Sequence, residues 1–297
     1  MSEASARANA LLARCCFPPP GTAVDCGVSG GADSTALLFL AMWAGCVATA
    51  IHVDHGLRDG SASEADVVAA TAAAVGARFE ARRVVVAPGP DLEARARDAR
   101  HATLPPGTLL GHTADDQAET VLWNLLRGAG PLGVAAMPHD ARRPMLRLRR
   151  AETQGLCAAW GLTVVDDPMN RDPAFTRVRV RHELLPLAAD IARRDVVASL
   201  ARHAELSSEL VDALDAVVAH VDAADVRALA ALPEPLARWA LRGWIGAQTG
   251  APPVTRTGLE RVMAVVRNAA RAAELEGGWR VERHRQRLRI VRSGDDG

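Results

Sequence analysis

Lysine is absent from this chain; all 35 residues of its Lys+Arg total are arginine. A Walker A loop needs lysine on the β/γ-phosphates, a pyridoxal enzyme needs one for its Schiff base, and a ligase that carries AMP covalently on lysine needs one as nucleophile. None of these mechanisms can operate here. Tyrosine is missing too, and four Phe and six Trp are the whole aromatic complement of 297 residues. No run of eighteen apolar residues occurs, and the opening MSEASARANALLARCC lacks the basic, apolar and small-residue regions of a secretory signal. A soluble chain with no membrane partner is expected. Cys15, Cys16, Cys26, Cys46 and Cys157 supply neither a CxxC pair nor an even framework, which suits a reducing compartment and makes the cytoplasm the expected location.

What is present is enough apolar residue, 49%, for a full core and, at this length, two domains. Charge sums to zero but is unevenly placed. Residues 183–234 hold ten acidic residues and four Arg, residues 256–292 hold ten Arg and four acidic residues, and residues 142–182 hold nine Arg against four. Two basic stretches in a neutral chain suggest local anion-binding faces.

The first part alternates apolar runs with helical patterns, as a parallel sheet with crossover helices requires. Ala23–Val28, Val47–Val53, Phe79–Ala87 and Thr108–His112 read as strands; Ser34–Ala44, Glu64–Val75 and Leu92–Thr103 read as helices, with Ser61 and Glu64 in capping-box spacing. Pro18-Pro19-Pro20-Gly21 detaches a short leading helix, and Pro88-Gly89-Pro90 marks a loop. After Asp190 the pattern is helical, interrupted by Pro233, Pro235 and Pro252-Pro253. The end, Glu274 to Arg292, reads as two short strands after Gly277-Gly278, with alternation putting most of Arg283, Arg285, Arg287 and Arg289 on one sheet face, either solvated or turned to RNA.

The most informative segment is Ala23-Val24-Asp25-Cys26-Gly27-Val28-Ser29-Gly30-Gly31-Ala32-Asp33-Ser34, a strand running through a glycine turn into a helix. Glycines admit phosphate oxygens close to the backbone, and the amides at the helix start point at a bound anion. Ser29 and Ser34 can donate hydroxyls to the same oxygens, and Asp33 is placed to hold a metal ion. His52-x-Asp54-His55-Gly56 imitates part of a binuclear zinc signature, but Ala50 stands where the first histidine belongs. Helical spacing sets Asp115 and Glu119 on one face with Asp116 and Thr120 adjacent, where carboxylates can take Mg²⁺ or an amine. Arg177, Arg179 and Arg181 suit a strand by alternation, while on a helix Arg177 and Arg181 share a face; either presents guanidinium groups to phosphate. Arg142, Arg143, Arg147, Arg149 and Arg150 read as surface charge or as a track along a nucleic-acid backbone.

SGGADS resembles the pyrophosphate loop of the N-type ATP-pyrophosphatases (PP-loop superfamily, adenine nucleotide alpha hydrolase-like). The segments Ile51–Arg58, Gly111–Thr120, Leu126–Gly130, Arg143–Leu146, Asp166–Asn170 and Arg177–Pro186 follow in the order seen in tRNA(Ile)-lysidine synthetases, over roughly residues 23–187. Val178 departs from the asparagine common in that family.

The resemblance implies an α/β PP-loop catalytic domain over 1–187, a helical linker over 188–222 and a mainly helical C-terminal tRNA-binding domain over 223–297 ending in a short β-hairpin. It implies ATP with Mg²⁺ as substrate and cofactor, tRNA(Ile) with a CAU anticodon and L-lysine as partners, and a homodimer as a possible assembly. In that reaction the wobble cytidine's O2 attacks the α-phosphate of ATP, pyrophosphate leaves, and free lysine displaces AMP at C2, changing codon reading from AUG to AUA. The implied nucleotide contacts are Ser29, Gly30, Gly31, Ala32, Asp33, Ser34, His52, Asp54 and Arg177. Asp33 and Asp116 hold metal, and Asp33, His112, Asp115, Asp116, Glu119 and Arg181 act in catalysis. A neutral lysine at pH 7 costs about 4.6 kcal/mol from a pKa of ~10.4, so Asp115 or Glu119, with His112 as alternative, is expected to hold and deprotonate the amine. With aromatics scarce, Arg stacking or Trp123 near the pocket would hold splayed bases, although core packing is the simpler reading of Trp123. Rival readings are a tRNA thiolase, which needs paired cysteines, an amide-forming synthetase, and a non-catalytic tRNA-binding module.

Overall fold

The computed structural model describes residues 2–54, 61–84, 95, 99, 102–166, 172–251 and 254–293. The segments His55–Arg58, Pro88–Pro90, Asp167–Asn170 and Pro252–Pro253, named above, lie outside the described residues. The chain forms two compact units, 1–208 and 209–297.

The first unit is built on four parallel strands, β1 (Ala23–Gly27), β2 (Val47–Asp54), β3 (Arg78–Arg83) and β4 (Leu109–Leu110), in the order β3-β2-β1-β4. The chain steps outward from β1 to β3 and then returns to the other side of β1. This makes a topological switch point between β1 and β4, and ligands of open α/β sheets bind beyond the strand ends at such a point. Helix α1 (Glu3–Leu12) leads, α2 (Ala32–Trp43) follows β1, and α3 (Ser61–Val75) joins β2 to β3. Every residue from Ala36 to Ala41 of α2 is buried, because sheet lies on one side and other helices on the other. Of the helix expected over Leu92–Thr103, the described residues Arg95, Ala99, Ala102 and Thr103 are helical.

Of the strand expected over Phe79–Ala87, β3 carries the pairing with β2 as far as Arg83 opposite Asp54, and residues 85–87 lie outside the described residues. β4 is two residues long: after Leu110 pairs with Gly27, the chain at Gly111 runs against the first turn of α2, where a Cβ would meet the Asp33 carbonyl oxygen at 2.8 Å. Beyond β4 come α4 (Ala114–Leu126), α5 (Pro131–Val134), α6 (Arg150–Ala159) and α7 (Thr176–Arg179). A π-turn over Val180–Leu184 follows, then α8 (Leu185–Ala192) and α9 (Val196–Val218). Within the π-turn the Leu185 amide reaches back five residues to Val180, and Pro186, next in line, has no N–H to restore the α-helical pattern.

In the second unit, α10 (Val226–Ala230), α11 (Glu234–Thr249) and α12 (Arg256–Val266) pack on an antiparallel sheet of β5 (Ala272–Leu275), β6 (Trp279–His284) and β7 (Arg287–Arg292). The sheet has one strand more than the expected hairpin. Gly277 and Gly278, both with positive φ, form the turn between β5 and β6 instead of preceding the first strand. The expected arginine face is also corrected. A turn at Arg285-Gln286 breaks the alternation, so Arg283 pairs with Leu288 on the inner face and donates to the Val266 carbonyl at 2.9 Å. Arg287 and Arg289 share the opposite face with His284 and Glu282.

Candidate active site

At the end of β1 the chain passes through Val28 and Ser29 into a glycine turn that starts α2. The two glycines do different work. Gly30 has φ +90°, and a Cβ there would strike Val165 at 2.8 Å, so its bareness admits an extended segment whose Val165 amide donates to the Gly30 carbonyl at 2.9 Å. Gly31, by contrast, is the N-cap of α2 and meets nothing closer than Ser29 Oγ at 3.8 Å. The Ser34 hydroxyl donates to the Gly31 carbonyl at 2.9 Å and accepts from the Ser29 amide at 3.2 Å, which holds the turn closed. No side chain caps this terminus, so the amides of Ala32, Asp33 and Ser34 keep the orientation that suits an anion.

Beside the turn lies a buried knot of charge. Helix α4 begins at β4's end with Thr113 as N-cap, whose amide and hydroxyl both donate to Asp116 at 2.8 Å. Arg150, at the start of α6, forks three ways: to Asp33 at 3.3 Å, to Asp116 at 2.9 Å and to Glu119 at 3.0 Å. Arg177 donates to Glu119 and Asp116, both at 2.9 Å, and Arg181 donates to Glu119 at 2.7 and 3.2 Å. Three carboxylates thus face three guanidinium groups drawn from α6, α7 and the π-turn. The helical reading of Arg177 and Arg181 is the one realised.

The knot pushes its two aspartates in opposite directions. Burial raises Asp33 to about 6 and the neighbouring Asp116 adds to this, while Thr153, whose hydroxyl donates to it, and Arg150 pull it back only in part. Asp116 is also buried, but Arg150, Arg177 and the His112 imidazole together hold its carboxyl well below the usual range. Asp33 is therefore short of positive charge. Such a carboxylate fits Mg²⁺, which is commonly held by one or two carboxylates plus substrate phosphate oxygens. Among the described residues no three His, Cys, Asp or Glu side chains are placed to hold one metal ion together, so no zinc-type cage occurs among them.

Other expected residues lie apart from the knot. Asp115 turns to the start of α6, accepting from the Arg150 amide at 2.8 Å and from the Arg149 guanidinium at 3.1 Å. His52 is buried and donates from Nδ1 to the Val28 carbonyl at 2.9 Å, so it buttresses the strand end beneath the turn. Asp54 ends β2, with its carboxylate 4.0 Å from Arg83. Arg150 was read only as surface charge or part of a nucleic-acid track, and Thr153 and Val165 were not singled out by sequence. For Arg150 one signal was available: Glu152 accepts from the Arg149 amide at 2.8 Å, and an acidic residue at that spacing marks a helix start.

A glycine turn with free amides at the switch point of a parallel sheet defines a nucleotide-binding protein of the PP-loop class, and residues 3–188 match the PP-loop domain family. Residues 225–289 match the TilS substrate binding domain. The tRNA(Ile)-lysidine synthase of Nocardia farcinica is 43% identical, covering 84% of this chain and 83% of its own. That of Salinispora tropica is 40% identical, covering 94% and 93%. The chain belongs to the tRNA(Ile)-lysidine synthase family. Its fold is shared with a U34-tRNA thiolase from Methanococcus maripaludis at TM-score 0.53 and 17% identity, over 69% of this chain and 79% of that one.

Proposed function

We infer that the protein ligates free lysine to C2 of the wobble cytidine of tRNA(Ile), using ATP and releasing AMP and diphosphate. The observation that carries this reading is the knot of three carboxylates and three arginines set against an uncapped glycine turn.

In the first step the cytidine O2 forms a bond to the α-phosphorus and the bond to diphosphate breaks. The amides of Ala32, Asp33 and Ser34, with the Ser29 hydroxyl, receive the leaving diphosphate, and Arg177 and Arg181 can turn from Glu119 to its oxygens. Asp33, with Asp116, would hold Mg²⁺, which when bound neutralises charge on the phosphates. In the second step the lysine nitrogen bonds to C2 and AMP leaves. Asp116 and Glu119 attract the ammonium, while the surrounding guanidinium groups favour loss of its proton, as a cationic neighbour does for a nucleophilic lysine. Glu119 and His112 are the candidate proton acceptors; Asp115 acts by fixing Arg149 and Arg150.

The thiolase reading is disfavoured because the five cysteines include no CxxC pair, and Cys26, Cys46 and Cys157 are buried. We further assign residues 1–187 to catalysis, 188–222 to a linker and 223–297 to tRNA binding, and the cytoplasm as the site of action. No helix among the described residues is long and apolar enough to cross a membrane. A homodimer is supported by the exposure of Leu187 and Ile191 one turn apart on α8, and light scattering checks it. The test of activity is incubation with labelled lysine, ATP and a tRNA transcript bearing a CAU anticodon. Label that enters tRNA and survives alkaline deacylation supports the reading; label that enters only as a base-labile ester, or not at all, refutes it.

A further inference from the structure

Helix α4 carries the site carboxylates on one stripe and extends that stripe toward solvent. At about 100° per residue, Asp116, Glu119, Thr120, Trp123 and Arg127 fall within roughly 100° of one another around the helix, while Ala114, Ala118 and Val121 occupy the opposite, core-facing side. Trp123 therefore stands one turn beyond Glu119, about 6 Å along the axis. Its side of the helix is the one that Arg177 and Arg181 reach through Glu119.

Trp123 is not core. It is 37% exposed, and no other ring stacks on it among the described residues. Its cationic neighbour is Arg127, whose guanidinium carbon lies 5.6 Å from the ring centroid and which has no carboxylate partner among the described residues. A half-exposed indole with an unneutralised guanidinium beside it combines a π-surface for a base with a cation for the adjoining phosphate. Trp43, comparably exposed, instead packs against Phe39 and Trp160.

We propose that Trp123, with Arg127, is the stacking platform for the nucleobase next to the reacting cytidine in the RNA loop. The proposal rests on the reading of the site as one that acts on a splayed base. Extruding one base from a single-stranded loop unstacks its neighbours. A ring one turn from Glu119, on the same stripe, recovers that lost stacking within about one nucleotide of the reaction.

The test uses the full chain and compares Trp123→Leu, which keeps an apolar side chain but no π-face, with Trp123→Phe. The expected result for Trp123→Leu is a KM for tRNA raised about tenfold, with the KM for ATP and the melting temperature unchanged and with Trp123→Phe restoring most of the loss. Transcripts made abasic on either side of the cytidine provide the second arm: one of them costs the wild-type chain the same factor and costs Trp123→Leu nothing further. An active wild-type chain whose Trp123→Leu variant keeps its KM for tRNA, or loses equally on the abasic transcript, overturns the platform alone. A wild-type chain that places no lysine in tRNA overturns the underlying reading together with the platform.

Discussion

Asp33 and Asp116 make a matched pair for experiment because their surroundings act on them with opposite sign. A carboxyl raised from 3.8 to about 6 on folding opposes stability: the penalty is absent below pH 3.8, grows between the two values and is complete above 6. In the absence of Mg²⁺ and nucleotide, Asp33→Asn is expected to raise the melting temperature at pH 7.5, by up to about 3 kcal/mol of stability, with the gain disappearing by pH 4. The same variant loses lysine transfer. Asp116→Asn does the reverse. It takes a buried anionic partner from Arg150 and Arg177, which are left sharing Glu119, and lowers stability by about 3 kcal/mol at pH 7.5. Calorimetry of both variants across pH checks the contrast, and equal shifts of one sign would contradict this account of the knot.

The π-turn is the element whose geometry aims Arg181. With alanine at 186, an N–H becomes available to a carbonyl one α-turn earlier, and a regular helix competes with the turn that places Arg181 on Glu119. Pro186→Ala is expected to lower kcat at least tenfold while the KM for ATP and the helical circular dichroism stay near wild type. This arrangement also shows why some of the molecule was readable and some was not. The strand, glycine turn and helix from Ala23 to Ser34 were legible because the apolar run, the glycines and the helix start that mark them all lie within a dozen residues. Arg150 meets Asp33 across 117 positions, and in sequence it sits in a run of arginines indistinguishable from surface charge. The Arg285-Gln286 turn was missed because alternation of arginine with polar residues continues unbroken through it. Trp123 was misread as core because an indole on an amphipathic helix carries no mark of which side it faces.

At the level of the whole chain, each unit has its own apolar core, with Leu37 and Leu156 in one and Leu241 and Val262 in the other. A fragment ending at residue 208 is expected to fold and bind ATP with the Kd of the full chain, while its KM for tRNA rises tenfold or more. Isothermal titration and steady-state kinetics check the two halves of that statement. Loss of the ten arginines between 256 and 292 should also flatten the salt dependence of tRNA binding; an unchanged slope would assign the ionic contacts to the first unit.

Just past the leading helix, Arg14 donates to Glu152, two residues from Arg150, and to the Arg147 carbonyl, three residues from it, both at 2.5 Å. Whatever displaces Arg150 when substrates enter will be felt at the amino terminus, so a fusion partner or affinity tag placed there is a perturbation of turnover, and a fluorophore placed there is a gauge of occupancy.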